Sequence, residues 1–369
     1  PESTESPPEL DATRDDGEPM TPEQIAEAKR YGRYGLACTL IDKVVDLAFM
    51  AVVALVLARP LDAWLGEWPP FDASRSLRLA ALLAIFFGLN VVVSFPFSFY
   101  SGHLLEHRFG LSNQTFLAWL WRYTKRVVLA GALGVALFVG LFWLIWTTGP
   151  YWWLASAAAF FIVSVVLGQL APVLILPLFY KVQRFDAAEL GDRLERLVDG
   201  TGLSIEGVYR IELSQETAKA GAMLAGLGRT RRVLLGDTLL DRFTPEEIDV
   251  VFAHEVGHHV DRHIRKIILA GLFSSAAGFW ICDRLLALSL DAGTGGLDYA
   301  NLPVHAVGMV MLLLTLFAML LEPVQNAISR RYERQCDRYA LKQTGEKSSY
   351  QSAFRKLARM NKADPDPHP

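Results

Sequence analysis

Five stretches of this chain, Val44 to Leu57, Leu79 to Tyr100, Val127 to Trp146, Trp152 to Tyr180 and Val304 to Leu321, are nearly free of charge. About 20 apolar residues are enough for a helix to cross a bilayer, and a backbone in hydrocarbon must satisfy its own hydrogen bonds. A purely water-soluble fold is excluded. Extended to their flanks, and with one further apolar stretch, these become six expected segments: about Leu36–Leu57, Leu77–Tyr100, Val127–Trp146, Trp152–Tyr180, Ile264–Leu288 and Pro303–Glu322. Six spans of about 20 residues use roughly a third of the chain, so water-facing structure must remain. The charged fraction of 20% lies below the soluble average of about 25%. A net charge of −3 gives no general basic surface, which argues against nucleic acid as a partner. Cys38, Cys282 and Cys336 lie far apart in sequence and suggest neither a disulfide framework nor a thiolate cluster.

The expected organisation has five parts. Residues 1–35 form a flexible tail, Pro1 to Met20, with a short helix, Pro22 to Tyr34. Residues 36–180 hold four membrane segments, the first entered through Asp42, Lys43 and Asp46, read as an interfacial helix start. Residues 181–263 form a polar α+β region, 264–322 hold two more segments, and 323–369 form a helix and C-terminal region expected to be incomplete. The stretch 101–126 reads as a loop rich in His, Arg and Lys, while the loop bearing Asp291 and Asp298 has no Lys or Arg. By the positive-inside rule the 101–126 stretch is cytoplasmic, and parity puts the 181–263 region and both ends on the same side.

Within the polar region, Ala187 to Val198 has helical spacing and Val208 to Leu213 alternates like a strand. Ala218 to Leu224, turning through Gly226 and Gly228 into Arg232 to Leu235, has the punctuation of a hairpin that supplies an edge strand. Thr244, Pro245 and Glu247 then form a capping box that opens a helix.

That helix contains His254, Glu255 and His258 in the pattern HExxH. Histidines four apart share a helical face and reach one zinc ion, while Glu255 leans toward the remaining position as general base for a metal-activated water. His259 and His263 lie off that face with no glutamate between them, and are expected to be solvated. A hydrolytic zinc site needs a third protein ligand. Glu322, Asn326, Arg330, Glu333 and Asp337 draw one stripe along a later helix, which makes Glu333 the candidate ligand. Asp337, one turn on, would orient His254 or His258 through its other ring nitrogen. Arg330 would balance Asp337 or stabilise an oxyanion, and the spacing favours neither.

These residues carry a resemblance to the type I CAAX prenyl endopeptidases, multispanning membrane zinc metalloproteases. It rests on Glu106 and Arg108 to Asn113; on Ala171, Pro172 and Pro177 to Tyr180; on Gly226 to Gly228 and Asp237 to Leu240; on His254 to His258; and on Ser329, Arg330, Glu333, Asp337 and Ala340. The resemblance implies a mainly α, polytopic helical bundle around a chamber, with a small gluzincin-like α+β zinc domain. It implies one Zn2+ per chain and a monomer in the lipid bilayer, in a bacterial cytoplasmic membrane with the active site on the cytoplasmic side. Peptides or membrane proteins, prenylated or not, would be cut there. It also implies that Ala220, Gly221 and Ala222, with Asn326, hold substrate. Two positions depart from the family's pattern, Gly221 for a frequent Asn and Cys336 for a usual Ala, and the family's later His-Pro and Arg signature is absent before Pro369. A quality-control metalloprotease of the heat-shock type and a scaffold or transporter with structural zinc are the alternatives; the last predicts a closed four-ligand site.

Overall fold

The computed structural model describes residues 18–185, 188–203, 205–226, 231–290 and 297–364. Most of the expected tail, Gly228 of the hairpin turn and Asp291 lie outside the described residues.

Helix α1, Pro22–Val52, starts at a Thr21 capping box with Gln24 and passes through a π-helical turn into α2, Ala58–Gly66. Helix α3 runs Arg75–Phe99, α4 Phe116–Thr148 and α5 Trp152–Leu170. The water-facing unit follows as β1 (Val182–Arg184), α6 (Ala188–Val198), β2 (Gly207–Ile211), β3 (Ala222–Ala225), β4 (Arg232–Gly236) and α7 (Pro245–Val260). Helices α8, His263–Leu290, α9, Ala306–Thr344, and α10, Lys347–Met360, complete the chain.

Four stretches are long and apolar enough to cross a membrane: Arg75–Arg108, Phe116–Phe179 (which holds both arms of a hairpin), His263–Ser289 and Ala306–Thr344. The first expected segment is not among them. No break separates a short helix from a membrane segment, because nothing between Tyr34 and Leu36 interrupts the backbone ladder of α1. Asp42, Lys43 and Asp46 therefore lie within a continuous helix and not at a helix start. Two of the three are held by the bundle: Lys43 pairs with Glu322, and Asp46 Oδ1 accepts from Asn90 Nδ2 at 2.8 Å. The expected 101–126 loop is likewise mostly helix. Helical turns continue from α3 to Arg108, and α4 begins at a Thr115 cap, so only a short connection remains. That connection docks on the polar unit, where Asn113 N–H donates to the Glu216 carbonyl at 2.9 Å and Arg122 pairs with the Glu216 carboxylate.

Contacts run from α1 to α3, α3 to α4, α4 to α5, α5 to α8, α8 to α9, and α9 back to α1, closing a ring. One core cluster draws on Val53, Leu79, Phe142, Trp152, Leu286 and Val307, all near the end of the ring that carries the α4–α5 turn. Away from it the helices bury little. Among the described residues, no hydrophobic side chain is buried in 87–99 of α3, 158–170 of α5 or 311–335 of α9. A solid bundle would bury a stripe on every helix. Helices that close a ring, pack tightly at one end and bury little farther along enclose a chamber. The fold class is thus the expected one, a polytopic helical bundle around a chamber with a small α+β unit.

The second core belongs to that unit. Its sheet has the order β1-β2-β4-β3, with β2 and β4 parallel and the outer pairs antiparallel, so the expected hairpin strand β3 is an edge. Leu194 of α6, Val233 and Leu235 of β4, Phe252 and Val256 of α7 and Ala353 of α10 pack beneath it. Helix α7 crosses α9 closely: a Cβ on Gly257 would stand 3.1 Å from the Cys336 Cα. Glycine at 257 is what permits this approach, and the approach sets one histidine-bearing helix against the carboxylate-bearing one.

Candidate metal centre

The capping box that opens α7 forms as the local sequence dictates: the Thr244 hydroxyl accepts from the Glu247 N–H, and Glu247 Oε2 accepts from the Thr244 N–H at 2.8 Å. Glu247 also pairs with the buried Lys356 ammonium at 2.8 Å, which ties the start of α7 to α10. Counting helical turns from this fixed start places His254 and His258 on one side, toward α9.

There the structure brings His254, His258 and Glu333 together, with one ligand atom of each lying within 4.8 Å of the others. His254 Nε2 lies 3.2 Å from Glu333 Oε2, and His258 Nε2 lies 3.8 Å from Glu333 Oε1. Asp337 meets His254, with its Oδ1 3.1 Å from Nδ1. Both nitrogens of the His254 ring therefore face carboxylate oxygens, which only accept. A neutral ring has one proton to give. The second contact needs a cation at Nε2, either a proton or a metal ion. Tetrahedral bonds of about 2.0 to 2.2 Å would separate a ligating N and O by about 3.4 Å, close to the observed spacing. The donor set of two imidazoles and one carboxylate fits a zinc-type ion.

The electrostatics follow from this arrangement. Burial alone would lower the His254 pKa, but the hydrogen bond to Asp337 and the charges of Glu255, Asp337 and Glu333 hold it above its ordinary value. His258 is held below its ordinary value, chiefly by burial, with the neighbouring His254 and His263 adding to the effect against Glu333 and Asp337. Burial pushes the Glu255 carboxyl up to about 7, with the Glu333 charge adding to it and His254 and a hydrogen bond from the Leu224 backbone opposing it.

The remaining expected site residues are spread around this cluster. Arg330 and Asn326 are exposed on α9, and no ion pair joins Arg330 to Asp337 among the described residues. Ala220 has both backbone groups engaged by Asn361, which accepts from its N–H at 2.9 Å and donates to its carbonyl at 3.1 Å. Gly221 gives its carbonyl to the Gly236 N–H at 3.0 Å, and Ala222 pairs with Leu235 in the sheet. Asn361 had no signal in the sequence, since it lies beyond α10 and reaches the strand only through the fold.

The expectation that His259 and His263 are solvated is wrong. His259 Nε2 donates to the Leu224 carbonyl at 3.0 Å, clamping the open edge of β3 to α7. His263 is fully buried, because Arg262 adopts a left-handed φ of 56° that turns the chain back and sets the ring flat on Tyr332, with centroids 4.0 Å apart.

Comparisons with known proteins give the family and the fold. A family model for the CAAX prenyl protease N-terminal part, with five membrane helices, matches residues 4–181, and the model of peptidase family M48 matches residues 185–369. CAAX prenyl protease 1 of Saccharomyces cerevisiae is 29% identical over 287 residues, covering 73% of this chain and 62% of its own. The uncharacterized metalloprotease YhfN of Bacillus subtilis is 25% identical over 359 residues, covering 94% of this chain and 81% of its own. This chain thus spans less than two thirds of the yeast relative and most of the bacterial one. The crystal structure of S. mikatae Ste24p superposes with a TM-score of 0.80 at 23% identity, over 99% of this chain and 87% of that one, a likeness of fold.

Proposed function

The chain belongs to the M48 metalloendopeptidases of the CAAX prenyl protease type, and we propose that it is a zinc-dependent enzyme that admits membrane-associated peptides to its chamber and cuts them beside α7. The observation that carries this reading is the His254 ring between two carboxylates, with Nδ1 on Asp337 and Nε2 toward Glu333.

In this reading His254, His258 and Glu333 hold the ion, and Asp337 fixes the His254 tautomer so that Nε2 keeps its lone pair. The ion, when bound, acidifies a water and polarises the scissile carbonyl. The chain's own residues do the rest. Glu255, half-buried beside the two histidines, takes the water's proton on its carboxylate and later gives it to the leaving amine. Substrate lies along β3 as an added strand. Backbone groups two residues apart on a strand point the same way, so Ala222 presents its N–H and C=O on the edge where Leu224 is already held by α7. Asp337 serves His254, whose Nδ1 it meets at 3.1 Å. The polar unit faces the cytoplasm, on the basic side of the membrane part.

The test is hydrolysis of a peptide ending in a prenylated cysteine, beside the same peptide unprenylated, by the purified zinc-loaded chain in detergent. Cleavage of the prenylated peptide supports the reading. Cleavage of unfolded membrane-protein segments alone would favour the quality-control activity, and no metal-dependent cleavage of either would sink both.

A further inference from the structure

A second donor set borders the first. Among the described residues, His258, His263 and Cys336 also bring three ligand atoms within 4.8 Å of one another. His263 and Cys336 are fully buried, and His258 is half-buried at the edge of the first set.

The second set is built, as the His263 ring shows. Its Nε2–H donates to Gln335 Oε1 at 2.8 Å, which leaves the ring's lone pair at Nδ1. That nitrogen lies 3.6 Å from the Cys336 sulfur. Metal bonds of about 2.0 Å to nitrogen and about 2.3 Å to sulfur at a tetrahedral angle put the two atoms about 3.5 Å apart, close to this spacing. An outer partner that fixes the tautomer, here Gln335, is how a ligand histidine is prepared, and the Tyr332 ring holds its plane, with an interplanar angle of 13°. Without an ion, the spacing suits a weak S–H hydrogen bond to Nδ1.

We propose that His258, His263 and Cys336 form a regulatory site for a soft divalent ion, and that filling it takes His258 from the His254–Glu333 set and stops hydrolysis. A neutral imidazole has one lone pair, so His258 serves one set at a time. Two nitrogens and a thiolate are softer than two nitrogens and a carboxylate, so a thiophilic ion prefers the second set. On binding, the Cys336 thiol gives its proton to water and its sulfur pair to the ion, with no change of oxidation state. The half-buried His258 is the side from which the ion enters. The proposal rests on the reading of His254, His258 and Glu333 as the zinc set.

The experiment titrates cadmium chloride into the purified full chain carrying one zinc. It records the ultraviolet thiolate-to-cadmium absorption band, the zinc left on the protein after desalting, and peptide hydrolysis. In the wild-type chain the band should saturate at one cadmium, with zinc and hydrolysis lost over the same range. In Cys336→Ser, and in Cys336→Ala where serine is not tolerated, the band should vanish and inhibition should weaken by more than about tenfold, each variant being compared with its own cadmium-free rate. Loss of a ligand should exceed the roughly 10-fold minimum seen for an outer partner. An unchanged band and inhibition in both variants would overturn the proposal. So would a band that forms while zinc and hydrolysis persist, since His258 would then not be shared. A chain that hydrolyses nothing even with zinc, yet forms the Cys336-dependent band and sheds its zinc, would uphold the site and remove the catalytic reading instead.

Discussion

Asp337 lies one helical turn beyond Glu333 on α9, and its Oδ1 is 3.1 Å from Nδ1 of His254, the residue whose other nitrogen Glu333 approaches. Two carboxylates on one helix thus address the two ends of one ring.

Their roles separate by mutation. Glu333→Ala should release zinc, while Asp337→Asn should retain it with an affinity lower by roughly 10 to 100-fold, since an outer partner orients the ring without touching the ion. Elemental analysis after dialysis at graded free zinc measures both. Full occupancy in Glu333→Ala would mean that another group is the third ligand.

Glu255→Gln isolates proton transfer from metal binding. The amide keeps the shape and takes no proton, so zinc content should stay normal while hydrolysis falls by about 10² to 10⁴. Both are measured on one preparation beside a chelated control. A near-wild-type rate with normal zinc would rule out Glu255 as the base.

The same carboxyl sets a pH dependence of the metal-free chain. Its folded pKa of about 7 lies above its ordinary value, so the folded state binds more protons over that interval. Its contribution to stability is intact below the ordinary carboxylate range and is lost as pH rises through about 7. His254, also raised, slopes the same way. Melting midpoints of the chelated wild type should therefore fall more steeply between about pH 5 and 8 than those of Glu255→Gln, whose difference from wild type isolates the one group. Parallel curves would show that Glu255 titrates normally.

Orientation is tested by labelling. With the native cysteines replaced, a cysteine at the exposed Asp298 should react with an impermeant thiol reagent on intact cells, and one at Asp192 of α6 should react only after lysis. The reverse pattern would invert the chain in the membrane.

What could be read in the sequence was what short-range geometry decides. The Thr244–Glu247 box, the hairpin of β3 and β4, and the ring-on-ring spacing of His254 and His258 need only their own few residues. Glu333 was legible because its stripe continues an apolar segment into a single helix. The missed features depend on distant neighbours. Strand β1 is three residues long and exists through pairing with β2. His263 is buried only because a non-glycine residue, Arg262, takes a left-handed conformation that sequence does not announce. The partners of Asp46 and Lys43 in α1, Asn90 and Glu322, lie on other helices and cannot be read from the stretch itself.

Helix α9 carries both the chamber wall and Glu333, and Pro323 interrupts its ladder between them. At about 1.5 Å per residue, the carboxylate-bearing arm extends about 15 Å past that proline. A swing of about 5° there would carry Glu333 some 1.3 Å sideways, more than half the length of a zinc–oxygen bond of about 2.1 Å. The Lys43–Glu322 pair ties α9 to α1 directly beside that proline, so it holds the angle at the one place where the ladder is interrupted.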